Sequence, residues 1–264
     1  RFQDAGATGF QRKAALRLQG DEVSSGTTYI DVQRVETGDS FMRGIWGIEA
    51  YQVTVNSCKL QSGMGMVIHT PAVGAVAAGD PLFPYTSSGN QSPQWTISNC
   101  YFNAQGGIIG LDWDTGGESL ISKCLFNNYT NTGDNGYPVA IAAIRLRGCG
   151  NTHIDTCTEE GNQPYRHYNA SIILDNCGTI KLTITRPAIS ERSALHDIIR
   201  VQATNAALPG CVNLTINGAE ANGAWLPGRR MFFVNWSSGT GNLVIQAPVV
   251  QGQGAGYGTM PLVV

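Results

Sequence analysis

The chain has 264 residues, a net charge of −2 and only 14% charged residues. A near-neutral chain without a dense basic patch lacks the electrostatic footprint of a nucleic-acid binder. No apolar run is long enough for a membrane-spanning helix, so no membrane insertion is expected, and no secretory signal is visible. The chain begins at Arg1, from which a processed or partly represented protein is expected. Short runs rich in Val, Ile and Thr, broken by 33 glycines and by Asn, Asp and Ser, point to β structure with many turns.

Residues 1–28 read as an N-terminal arm. Phe10, Ala14 and Leu18 fall four apart with Gly20 as a stop. That spacing predicts a short amphipathic helix, suited to covering the open end of a β-stack. Strands are predicted from Tyr29 onward, and a unit recurs in which an aliphatic residue stands three before a small one. Its members are Val55–Cys58, Ile97–Cys100, Ile121–Cys124, Ile154–Cys157, Ile184–Pro187, Ile216–Ala219 and Ile245–Pro248. Successive anchors lie 42, 24, 33, 30, 32 and 29 residues apart. Such a period predicts stacked coils, each burying one face of short strands and pairing with the coils on either side. Asn and Gly between the strands suit left-handed corners.

The seven cysteines occupy strand-like positions without CxxC pairs or Cys/His clusters. They read as reduced, buried thiols in a column rather than zinc ligands or disulfides. The remaining histidines, His69, His153 and His196, make no metal-binding pattern, so neither metal nor cofactor is expected.

Two insertions interrupt the repeat. One covers about 64–93; its Phe83 and Tyr85, with Trp95 beyond, could stack on a sugar ring or anchor a neighbouring subunit. The other, 127–138, reads as an exposed polar loop with Tyr129 and Tyr137. Residues 29–255 form the repeat region and 256–264 a C-terminal tail.

The motifs WTISNCYF, SLISKCLF and ILDNCGTIKLTI resemble the right-handed, single-stranded parallel β-helices of the pectate-lyase-like superfamily. Their style is closest to phage tailspike and tail-fibre-like virion proteins. The resemblance implies an all-β solenoid of about seven or eight coils. It also implies a homotrimer on the virion, outside the cell, whose partners are other virion proteins and a bacterial surface polysaccharide. The catalytic motifs of polygalacturonases and pectate lyases are missing: there is no Asp-Asp pair and no Gly-His.

If 109–114 is a strand, Asp112 and Asp114 share a face. Stacking the coils on their apolar residues sets Asp112 beside Arg145, Asp114 beside Arg147, and Asp175 one coil further. This predicts a solvent-facing strip that is either an ion-pair ladder or a glycan site. In the enzymatic reading Asp112, Asp114 and Glu118 are the catalytic carboxylates, with Arg145, Arg147, Asp175, Tyr85 and Trp95 holding substrate. Glu159 and Glu160, followed by Arg166 and His167, form a weaker second candidate, because adjacent residues point to opposite faces. Three functions compete: a tailspike-like protein that binds and in one form depolymerises polysaccharide, a non-enzymatic capsid decoration or cement protein, and a secreted lyase or glycoside hydrolase.

Overall fold

A computed structural model describes residues 14–19, 29–38, 43–48, 50–69, 94–103, 107–114, 116–127, 141–160, 170–183, 186–187, 197–203, 210–218, 220–223, 232–234, 241–246 and 249–252. These residues form 24 strands, numbered in chain order, and no helix. Every strand pairing is parallel, so successive strands of one sheet come from successive coils of a solenoid.

The first sheet stacks β1 (Ala14–Gln19), β4 (Arg43–Ile48), β7 (Met64–His69), β10 (Ile109–Asp114), β13 (Ala142–Arg147), β16 (Ala170–Asp175), β19 (Asp197–Gln202) and β22 (Phe232–Val234). The second stacks β2 (Ile30–Gln33), β5 (Val53–Asn56), β8 (Thr96–Ser98), β11 (Gly117–Ser122), β14 (Gly150–Asp155), β17 (Cys177–Thr183), β20 (Cys211–Asn217) and β23 (Asn242–Gln246). The third, of two- and three-residue strands, runs through β3 (Glu36–Thr37), β6 (Lys59–Leu60), β9 (Tyr101–Asn103), β12 (Leu125–Asn127), β15 (Thr158–Glu160) and β18 (Arg186–Pro187). The pair β21 (Glu220–Gly223) and β24 (Val249–Gly252) forms a separate two-stranded sheet.

In-register pairing turns the sequence repeat into columns of like side chains. Val55, Ile97, Ile121, Ile154, Leu182, Ile216 and Ile245 stand in line across the second sheet. In the third sheet Phe102 stacks on Phe126 with centroids 4.5 Å apart. Trp95 and Trp113 meet edge to face in the core at 6.1 Å. The Trp95 ring occupies the space above Gly47, where a Cβ would lie 2.6 Å from the indole.

The corners explain the cysteines. Between the second and third sheets Arg34, Ser57, Asn99, Lys123 and Thr156 have φ between 52° and 56°. Each of these residues donates its N–H to a strand-end carbonyl one coil on, as Asn99 does to Ser122 and Lys123 to Asp155. That bond offsets the cost, about 1–2 kcal/mol, of a left-handed conformation in a residue with a Cβ. In the four corners from Ser57 to Thr156 the next residue is Cys58, Cys100, Cys124 or Cys157. Each thiol donates to the carbonyl two residues back and to one a coil below, as Cys100 does to Ser98 at 3.2 Å and Val55 at 3.7 Å. The corner after the first sheet repeats the device with Gly148–Cys149 and Asn176–Cys177, and register places Cys211 on Cys177. The sequence predicted one cysteine column; there are two.

Three further expectations are corrected. Residues 14–19 form strand β1, paired with β4, where a helix was predicted. AALRLQ alternates as well as it spirals, and a ladder partner decides the ambiguity. Residues 64–69 of the expected insertion are strand β7; the rest of that stretch lies outside the described residues, as do 128–138 of the second. Leu182, not Ile184, continues the aliphatic column, and Pro187 falls opposite Glu159 rather than under a cysteine.

All seven thiols are free and buried. Burial pushes Cys149 and Cys211 up to about 12 and Cys177 well above the ordinary thiol range. A thiol enclosed in the core is out of reach of a reagent in solution, whatever its protonation. Ellman's reagent at pH 8 should therefore titrate none of the seven in the native protein and all of them in denaturant. Rapid native reaction of several would contradict the two buried columns.

Candidate functional site

The charged strip predicted from the sequence exists in the predicted register. Asp112 pairs with Arg145, Asp114 with Arg147, and Arg147 with Asp175, on β10, β13 and β16. These side chains leave the outer face of the first sheet, because Leu111, Trp113, Ile144, Leu146, Ile172 and Leu174 between them belong to the core. Arg200 follows on β19 beside Ile173, and Gln202 beside Asp175.

The strip is not solvent-facing, which corrects the expectation. Asp112 is 1% exposed, Asp175 4%, and Asp114 and Arg145 8% each. Both faces of β10 and β16 are buried. Toward β4 and β7 the same outer face is apolar, with Trp46, Met64, Val67, Ile108 and Ile109 clustered. The Arg17 and Arg43 guanidinium groups lie 5.1 and 4.9 Å from the Trp46 ring centroid.

Charges taken out of water require partners, and the strip supplies them. Arg145 grips Asp112 with two bonds, Nε to Oδ1 at 2.9 Å and Nη2 to Oδ2 at 2.6 Å. The Arg147 Nη2 stands 3.6 Å from Asp112 Oδ2 and 3.8 Å from Asp114 Oδ2. Gln202 donates to Asp175 at 3.2 Å. The sequence argument missed Gln202 and Arg200, although IIRVQ has the same pattern as AIRLR and IILD.

Burial raises Asp114 from the ordinary 3.8 to about 6; Arg147 opposes the shift, and Asp112 and Asp175 add to it. A raised carboxyl beside an arginine-paired one is the form of an acid/base pair. Catalysis also needs hydrogen-bond reach to a substrate, and here both Asp112 oxygens are engaged in a buried fork. What this arrangement does chemically is tie neighbouring coils, β10 to β13 and β16 to β19, through charge-assisted bonds.

The other candidates do not join it. Glu118 is an exposed corner residue of β11 with φ 50°, bonded to Gln94 at 3.1 Å, and lies in the second sheet. Trp95 is fully buried, with its Nε1 on the Ala50 carbonyl at 2.8 Å, so it presents no ring to a sugar. Its place in the aliphatic repeat, two residues before Ile97, was the available signal. Glu159 sits in register with Phe126, 4% exposed, beside a cavity of about 10 Å³ that Ser171 also lines. Tyr85, Phe83, Arg166, His167 and His196 lie outside the described residues, and nothing is described of the Glu160 and His69 side chains. His153 is half-buried and bonds Thr183 at 2.8 Å. Among the described residues no group of three or more His, Cys, Asp or Glu is placed to hold a metal ion.

No protein-family model matches the chain, and no curated protein matches it.

Two outcomes test the electrostatics. Arg145→Met leaves Asp112 buried without its fork, so denaturant unfolding should show a loss of about 3–5 kcal/mol. The double variant Arg145→Met/Asp112→Leu should lose less than the two single losses added together. Asp114 holds its proton more tightly folded than unfolded, so its effect on stability is most favourable below pH 4 and declines as pH rises through 6. Asp114→Asn removes that decline. Relative to the parent, the variant should gain roughly 2–3 kcal/mol between pH 4 and 7. Parallel stability–pH curves would show that Asp114 is not shifted.

Proposed function

We propose that the chain is the β-helical body of a tailspike- or tail-fibre-like virion protein that acts as a homotrimer and binds a bacterial surface polysaccharide. The observation that carries the reading is the solenoid of parallel strands stacked in register across two eight-stranded sheets. It supports the likeness to pectate-lyase-like β-helices that the repeated strand-corner motifs suggested. The winding is right-handed in this reading, the hand of nearly all parallel β crossovers. Fold alone does not assign function; the near-neutral net charge and the repeat together favour a carbohydrate partner over nucleic acid.

In this reading the protein binds without cleaving at the acidic strip. Asp112 and Asp114 are enclosed, their arginines occupy them, and Glu118 stands on another sheet. The same burial favours a second reading, a capsid decoration or cement protein with no glycan partner. A secreted lyase or hydrolase is the least supported.

Sedimentation equilibrium should give a mass three times that of the 28.1 kDa chain. The trimer should be retained on bacterial surface polysaccharide, with no reducing ends or unsaturated products released. A monomer without retention would sink the proposal, and a trimer without retention would favour the decoration role. Turnover abolished by Asp112→Asn in a folded variant would return the strip to catalysis.

A further inference from the structure

The geometry points to the outer face of the second sheet, across β14, β17, β20 and β23, as the surface on which an uncharged polysaccharide strand lies. The assignment rests on the polysaccharide-binding reading above and gives it a place. The first sheet turns a buried outer face outward, filled by ion pairs and apolar groups. The second sheet does not: Thr179, Asn217 and Asn242 are exposed, and Asn213 and Thr215 half-exposed.

Register sets these side chains on a grid. Thr179, Asn213 and Asn242 stand in one column, with Thr215 and Asn217 beside them on β20. Rows are about 4.8 Å apart across the ladder, and neighbours on one strand face are about 6.5 Å apart. The column is already organised. Asn242 donates to Asn213 at 2.9 Å, and Asn213 donates to Thr179 at 3.2 Å. Side chains held this way lose less freedom when a ligand binds.

The chemistry of the grid selects its partner. Carboxamides and hydroxyls both donate and accept, as sugar hydroxyls do. Lys181 and Asp155 are its two charges, one of each sign, so the face offers no field for an acidic polymer or nucleic acid. A second copy of the chain would be expected to meet aromatic, Met or Arg side chains at the centre of an interface. Here Val212 and Val244 are the exposed large hydrophobics. A polyhydroxylated chain running along the solenoid axis meets amide and hydroxyl side chains in two columns, Thr179–Asn213–Asn242 and Thr183–Asn217–Gln246, so many weak contacts add.

The test uses the full chain on immobilised dextran, mannan and galactomannan, with alginate as the acidic comparison. The parent should be retained by a neutral polymer. Thr215→Glu and Asn217→Arg should each weaken retention at least about tenfold with an unchanged melting midpoint, and Gln33→Glu, at the far end of the same sheet, should match the parent. Retention of both variants at the parent's strength, or a loss shared by Gln33→Glu, overturns the placement and leaves polysaccharide binding intact. Retention on alginate alone overturns the neutral class. Failure of the parent on every polymer here, with retention on bacterial surface polysaccharide, overturns this placement and its neutral class; failure on both overturns the binding reading as well. A crystal structure with an oligosaccharide of the retained polymer decides without variants: sugar over β17 and β20 supports the assignment, and sugar over β10 and β13 overturns it.

Discussion

Everything in this molecule depends on the parallel hydrogen-bond ladder that joins each strand to its counterpart one coil later. The ladder forces equivalent residues into line, so a side chain that fits one coil must suit its copies above and below. It also reaches around the corners. The left-handed residue between the second and third sheets is tolerated as Arg, Ser, Asn, Lys or Thr because its N–H joins the same ladder. The cysteine that follows is small enough for the bend, and its thiol turns inward onto carbonyls that the bend brings together. Each S–H···O contact is weak; the repetition along two columns gives it structural weight.

The outer strip of the first sheet shows how the same stacking handles charge. In-register neighbours of opposite sign, Asp112 with Arg145 and Asp114 with Arg147, lie on adjacent strands. Burial makes the pairs necessary: a lone buried carboxylate would be costly, and a forked guanidinium compensates it. It also raises Asp114, the member with the looser partner at 3.8 Å. The perturbed acid that would mark a reactive site thus arises from packing an ion-pair cluster between coils, while the exposed polar lattice lies on a different sheet.

Much of this was legible in the sequence. The strip's register followed from stacking aliphatic residues, because a side-chain period of two leaves little choice once one face is buried. The column from Val55 to Ile154 was readable for the same reason. It slipped at Ile184, where KLTIT offers aliphatic residues at both Leu182 and Ile184 and only the ladder chooses Leu182. The second cysteine column was hidden because Cys149 stands just before its strand and Cys177 and Cys211 open theirs, whereas the aligned cysteines follow theirs. The expected N-terminal helix failed because a six-residue run such as AALRLQ satisfies both periodicities.

The sequence by itself determined the class of fold, its repeat, the inward and outward faces of the strands and the pairing of Asp112 with Arg145, since all four follow from local alternation and recurrence. Tertiary structure decided exposure. Whether Asp112 meets water, whether Trp95 shows a ring, and which sheet is left open depend on what the chain lays over each face, and no local period encodes that.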